Sequence, residues 1–265
     1  MSSLTGYLAA GGEYASALWY MLGGVFLLAM GASALNQVQE YRYDLKMERT
    51  RNRPIPSGRL QPAQALFIAL FLLVLGALIL LTGCGQLSFL LGVMTIFWYN
   101  ILYTYLKRVT AFAVVPGSMV GALPPLIGWS ATGVEIGDSA IFLAAFFFIA
   151  QIPHFWLIIL SIGSQYEAAG YPSLSAILSR KQIGRLTLVW IVATGLVALF
   201  LPLFGTLDHK VLTWLLVAGA LWMIWGFLKM AGRSLDDVQP RKGFIRLNLF
   251  VLLVMVLIWV DAFLP

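Results

Sequence analysis

Long apolar runs separated by short polar connections organise this chain. Eight runs, at 17–35, 63–81, 87–106, 110–131, 139–162, 183–204, 211–230 and 244–264, approach or exceed the length of about 20 residues that a helix needs to cross a bilayer. Ahead of them lies a shorter apolar stretch, 4–10, too short to span alone. Glycines mark the turns between runs: Gly11-Gly12, Gly83 and Gly85 around Cys84, Gly133 to Gly137, and Gly205 before Thr206. No connection is long enough to hold a soluble domain. The pattern predicts one membrane-embedded, all-α domain over 1–265: a polytopic transmembrane helical bundle of eight full spans plus a short N-terminal helical stub.

Composition sharpens this picture. Of the 265 residues 60% are hydrophobic and only 11% charged, with a mean hydropathy of +0.88. A soluble domain carries about 25% charged residues, so a water-soluble enzyme is excluded, and so is a disordered chain. The single cysteine, Cys84, excludes an internal disulfide and a cysteine-built metal site. Met1 to Thr5 lack the basic start of a secretory signal, and no small-residue cleavage site follows. The net charge of +6 would suggest nucleic acid only if it formed a basic face on a soluble surface. Instead, sixteen of the 17 Lys and Arg residues fall in alternate connections, and only Lys210 falls in the others. By the positive-inside rule the basic connections face the cytoplasm. The expectation is an integral protein of a bacterial inner membrane, surrounded by lipid, with no nucleic-acid partner.

One connection carries chemistry. Asn36, Glu40 and Asp44 recur at i, i+4 and i+8, a drift of about 80° around a helix over roughly 12 Å. Three oxygen-bearing side chains therefore line one face at the mouth of a membrane helix. Oxygen ligands without histidine or cysteine suit a hard cation such as Mg²⁺, which keeps waters and bridges to substrate phosphates. Arg49, Arg51 and Arg53 follow, and guanidinium forks match phosphate oxygens. Pro54 and Pro56 then fix the chain's return to the membrane. A positive-inside loop whose acids merely pair with neighbouring arginines would account for the charges but not for their register. Carboxylates, cation and arginines describe a site for a phosphorylated substrate whose greasy tail lies in the apolar interior.

Asn36-x-x-x-Glu40-x-x-x-Asp44, followed by Met47-Glu48-Arg49-Thr50-Arg51-Asn52-Arg53-Pro54, resembles the first signature of the UbiA-type prenyltransferases. It is similar above all to their protohaem IX farnesyltransferase branch, where the middle acid is usually Asp. Further blocks of that branch appear in order: Tyr103-Thr104, Leu106-Lys107-Arg108 with Thr110, the run from Gly121 through Pro124-Pro125 to Trp129, Pro153-His154-Phe155-Trp156, and Tyr166-x-x-Ala169-Gly170-x-Pro172. The resemblance implies a nine-helix bundle with a lipid-open cavity and a Mg²⁺-held diphosphate. The implied reaction is transfer of a farnesyl group from farnesyl diphosphate to haem b, giving haem O for a downstream haem A synthase. It implies that Asn36, Glu40 and Asp44 are the catalytic metal ligands and that Arg49, Arg53, Lys107 and Arg108 bind the diphosphate. There are departures. The second signature usually carries adjacent aspartates where this chain has Ser164-Gln165, and the nearest acid is Glu167. Ala113 and Gln37 replace the usual Asn and Asp, and the first helix is a stub, as expected of a clipped or late start.

Other polar and aromatic residues inside the runs admit two roles each. His154 lies within an apolar run, where a polar side chain is costly enough to suggest function. It either touches a haem acceptor or hydrogen-bonds a neighbouring carbonyl. Tyr99 and Tyr103, one turn apart, either stabilise an allylic cation or belong to an interfacial belt. Gly117, Gly121 and Gly128 with Pro124-Pro125 suggest a kinked helix that widens a cavity or packs closely. His209 is expected to be a loop residue. Three rival readings stand beside haem farnesylation. They are another acceptor (a quinone precursor or chlorophyllide), a non-catalytic haem- or prenyl-binding relative, and a transporter. The charges cluster at the rim and not at the midplane where transport sites lie, which counts against the transporter.

Overall fold

The computed structural model describes residues 1–13, 15–231 and 239–264. A short α1 (Ser2–Ala9) precedes α2 (Ser16–Asp44), and α3 (Pro62–Cys84) returns beside it. The next crossing is composite: α4 (Gln86–Ile96) runs into a π-helical segment, Phe97–Tyr103, and ends in the single turn α5 (Thr104–Leu106). A 3-10 turn, Ala111–Ala113, leads through α6 (Val114–Gly117) into α7 (Met119–Ser130). Then follow α8 (Asp138–Ser161), the short α9 (Gly163–Ala168), α10 (Arg180–Phe200) with its 3-10 extension Leu201–Phe204, α11 (Lys210–Ala231) and α12 (Pro240–Asp261). Among the described residues eight segments are long and apolar enough to cross a membrane, and no strand occurs. Arg233, one of the basic residues counted above, lies outside the described residues.

The spans differ from the apolar runs in instructive ways. The first run ends at residue 35, but its helix continues to Asp44. Asn36, Glu40 and Asp44 keep one face of this extension buried while the opposite face turns polar. The run at 110–131 forms two helices, because the chain breaks at Ser118 after Gly117. A Cβ on Gly117 would stand 2.4 Å from the Tyr103 ring, so this glycine makes room for that ring. Pro124 and Pro125 sit inside α7, and α1 packs there: a Cβ on Gly128 would meet the Ser3 carbonyl oxygen at 1.8 Å. The glycine–proline run thus seats α1 against α7 backbone to backbone, the way small residues let membrane helices approach.

Two of the four apolar clusters among the described residues tie most of the helices together. Met21, Leu80, Ile127 and Tyr7 join α1, α2, α3 and α7, with Gly24 and Gly76 in backbone contact between α2 and α3. Phe146, Ile191, Met223 and Phe250 join α8, α10, α11 and α12. Large apolar side chains such as Phe67 and Trp214 point outward, as expected where lipid is the solvent.

Candidate active site

The predicted stripe on α2 is buried despite its polarity: Asn36 is 7% exposed, Glu40 5% and Asp44 2%. Each group has partners, as buried polar atoms require. Asn36 Nδ2 donates to Thr104 Oγ1 (3.1 Å), whose hydroxyl donates to the Tyr99 carbonyl (2.8 Å). Glu40 Oε2 accepts from the Lys107 ammonium (2.7 Å), and Oε1 accepts from the Tyr171 hydroxyl (2.9 Å). Arg53 Nη1 donates to both carboxylate oxygens of Asp44, at 3.1 and 2.9 Å. The loop that presents Arg53 is tied back to the helix end by Thr50 Oγ1 donating to the Asp44 carbonyl (3.0 Å). Local sequence therefore folds the arginine-rich connection over its own carboxylates. Burial pushes the Lys107 ammonium below its ordinary value, partly opposed by the Glu40 charge beside it.

The π-helical segment shapes the facing wall. π-helical turns inside α-helices are frequent at functional sites. Asn100, fully buried, donates to the Ala32 carbonyl (2.9 Å) and to Gln39 Oε1 (3.2 Å), and Gln39 Nε2 donates to the Asn100 carbonyl (2.9 Å). This clamp locks the segment against α2. Tyr99 and Tyr103 stack at 6.1 Å, Tyr103 on Phe155 at 5.6 Å, and Phe155 meets His154 edge-on at 5.8 Å. Lys107 stands 5.4 Å over the Tyr103 ring. The four predicted residues Tyr99, Tyr103, Lys107 and His154 are thus joined through one aromatic chain. His154 Nδ1 faces Asn248 Oδ1 at 3.1 Å, and the Asn248 amide nitrogen donates to the Phe244 carbonyl (2.7 Å). A carbonyl oxygen only accepts, so in this contact Nδ1 is the donor.

The remaining predicted residues lie around the rim. Arg49 is exposed, and its backbone N–H donates to Gln165 Oε1 (3.4 Å), bringing α9 to the first signature. Arg108 donates to the Gln39 carbonyl (2.9 Å), and its guanidinium stacks over Tyr43 and Tyr105. Glu167 faces away: its carboxylate accepts from Ser175 Oγ (2.5 Å) and is exposed, and this hydroxyl with that of Ser173 holds it below the usual carboxylate range. Tyr171, Gln39 and Asn100 were not singled out in the sequence, and Thr104 entered only through the Tyr103-Thr104 block. For Tyr171 the signal was its place inside the Tyr166-x-x-Ala169-Gly170-x-Pro172 block; for Gln39, its place between the stripe residues.

Just beyond Asn36 the same face of α2 turns apolar and lines a cavity of about 240 Å³. Val25, Leu28, Ala32 and Ser33 form its α2 wall, with Tyr99 and Pro124 opposite. A polar rim rich in paired charges thus continues into an apolar slot.

Curated relatives share this sequence over most of its length. The "Protoheme IX farnesyltransferase" of Geobacter sulfurreducens is 41% identical over 199 residues, 75% of this chain and 73% of that protein. The protein of the same name from Oleidesulfovibrio alaskensis is 36% identical over 98% of this chain and 90% of its own. Among solved structures, a digeranylgeranylglyceryl phosphate synthase superposes with a TM-score of 0.78 at 16% identity, covering 98% of this chain and 91% of that one. A UbiA homolog from Archaeoglobus fulgidus bound to GPP and Mg²⁺ superposes with a TM-score of 0.67 at 12% identity, covering 99% and 97%. Residues 1–258 match the UbiA prenyltransferase family, and with relatives at this identity over nearly the whole length the chain belongs to that family.

Proposed function

We propose that this chain transfers a farnesyl group from farnesyl diphosphate to a vinyl group of protohaem IX, on the route to haem O. The observation that carries the reading is the continuous face of α2, which runs from buried Asp44, Glu40 and Asn36 into the apolar cavity at Ala32 and Leu28. One end suits a diphosphate and the other a prenyl tail. The relatives supply the acceptor, since those at 34–41% identity bear the name protoheme IX farnesyltransferase. The donor set fits Mg²⁺: it consists of oxygens only, two of them carboxylates. Among the described residues no three His, Cys, Asp or Glu side chains converge. Asn36, Glu40 and Asp44 would therefore hold the ion together with water and the diphosphate itself. When bound, Mg²⁺ supplies positive charge to the leaving diphosphate.

The chain's own groups do the rest. Lys107 and Arg53, now on Glu40 and Asp44, are placed to turn toward phosphate oxygens and neutralise the charge that builds as the allylic C–O bond breaks. Arg49 extends this cationic rim. The faces of Tyr99 and Tyr103 line the passage of the allylic cation, and the apolar cavity keeps water from the tail. The vinyl electrons form the new C–C bond as the allylic C–O bond breaks and diphosphate departs; water then captures the resulting cation and releases one proton to solvent, which balances the step. His154, joined to Tyr103 through Phe155, faces the acceptor side. By the positive-inside rule the diphosphate site opens to the cytoplasm. The test is incubation of the purified protein with haem b, farnesyl diphosphate and Mg²⁺, followed by mass spectrometry. Farnesylated haem is expected. Prenylation of a quinone precursor or chlorophyllide instead, or no product with haem still bound, would overturn the reading.

A further inference from the structure

Tyr171 lies in the loop after α9, 131 positions from Glu40, yet its hydroxyl donates to Glu40 Oε1 at 2.9 Å. The residue is 5% exposed. Its ring is held between Tyr166, at 4.5 Å, and Tyr43, at 4.9 Å, and packs on Met47. The other carboxylate oxygen of Glu40 takes the Lys107 ammonium. The two oxygens of one carboxylate therefore meet two different kinds of donor. A lysine on a flexible four-carbon stem can leave Oε2 for a phosphate oxygen. A phenol wedged between two rings stays where it is.

We infer that Tyr171 is a positioning residue. It fixes Glu40 so that Oε2 stays turned toward the place where Lys107 now stands, ready for a cation–diphosphate pair. The loop that carries Tyr171 follows directly on α9, in which Ser164 and Gln165 stand where paired aspartates are usual. Together α9 and this loop hold the first signature through protein contacts: Tyr171 on Glu40, and Gln165 on the Arg49 backbone. The inference rests on the reading of Glu40 as part of the diphosphate site.

The test is Tyr171→Phe, which keeps the stacked ring and removes only the hydroxyl. Farnesyl diphosphate is titrated calorimetrically into the full chain with Mg²⁺ and without haem, and Mg²⁺ is titrated at fixed farnesyl diphosphate. Loss of a hydrogen bond to a charged group should weaken farnesyl diphosphate binding about tenfold to a hundredfold. The Mg²⁺ midpoint should rise, and KM should change more than kcat. Glu40→Asp supplies the second variant, because its shorter carboxylate draws away from the phenol. In that background the Phe substitution should add little. An equal loss in both backgrounds, or none in either, would overturn the inference. Asp44→Asn separates the two levels. If it abolishes Mg²⁺-dependent binding while Tyr171→Phe binds as tightly as the parent, only the role of Tyr171 falls; if both variants bind normally, the reading of the site falls too.

Discussion

Glu40 and Lys107 are both largely buried, with side chains 6% and 14% exposed, and 2.7 Å apart. Removing one partner of such a pair leaves an uncompensated charge, at a cost of about 3–5 kcal/mol. Lys107→Met should therefore lower the thermal midpoint markedly, and adding Glu40→Gln should recover much of the loss, since the pair acts as a unit. A calorimetric comparison of the two single variants and the double variant checks this; simple additivity would contradict it. Asp44 behaves differently. Its partner Arg53 is 34% exposed and can turn to water. Asp44→Ala should cost at most about 1 kcal/mol of stability while abolishing farnesyl transfer, measured as product by mass spectrometry alongside the melting curve. The register of Asn36, Glu40 and Asp44 was legible because helical period alone puts them on one face. Their partners were not. Arg53 arrives by a loop closure, and Tyr171 by a tertiary contact that no local pattern encodes.

At the scale of elements, the extension of α2 past residue 35 was written in the i, i+4, i+8 spacing, although hydropathy alone stopped earlier. The π-helical segment Phe97–Tyr103 was invisible, because its backbone register is fixed by Asn100 clamping Gln39 and the Ala32 carbonyl and not by residue preference. The short α9 and its loop decide how the altered second signature works. Gln165 there touches the Arg49 backbone, whereas Glu167 is exposed on Ser175. Glu167→Gln, as a surface change, should shift the rate by no more than about twofold. Restoring acids with Ser164→Asp and Gln165→Asp adds negative charge to α9, so the Mg²⁺ concentration for half-maximal transfer should fall. A Mg²⁺ titration of parent, Glu167→Gln and restored protein reads both effects. Equal curves for parent and restored protein would show that this loop acts only through its protein contacts.

For the whole molecule, the alternation of charge and the position of the site make one connected claim. The arginine-rich loop after α2, Lys107 and Arg108, and the start of α10 all belong to the same end of the bundle, where Asp44 and Glu40 lie. The other end carries His209 paired with Asp261 at 2.8 Å and the Trp259 indole donating to Thr5. Among the described residues, fifteen basic residues fall at the first end and only Lys210 at the other, and a bias of that size sets orientation. A reporter fused within 180–185 should therefore read cytoplasmic, and one within 208–210 should read external. Both insertions fall outside the stripe on α2, so farnesyl diphosphate binding should survive them and certify that the reported fold is the native one. Reversed signals with binding retained would place the diphosphate site on the side away from the cytoplasm, where a cytoplasmic prenyl diphosphate cannot reach it. The proposed reaction would then lack its donor, however well the carboxylates and arginines fit the substrate.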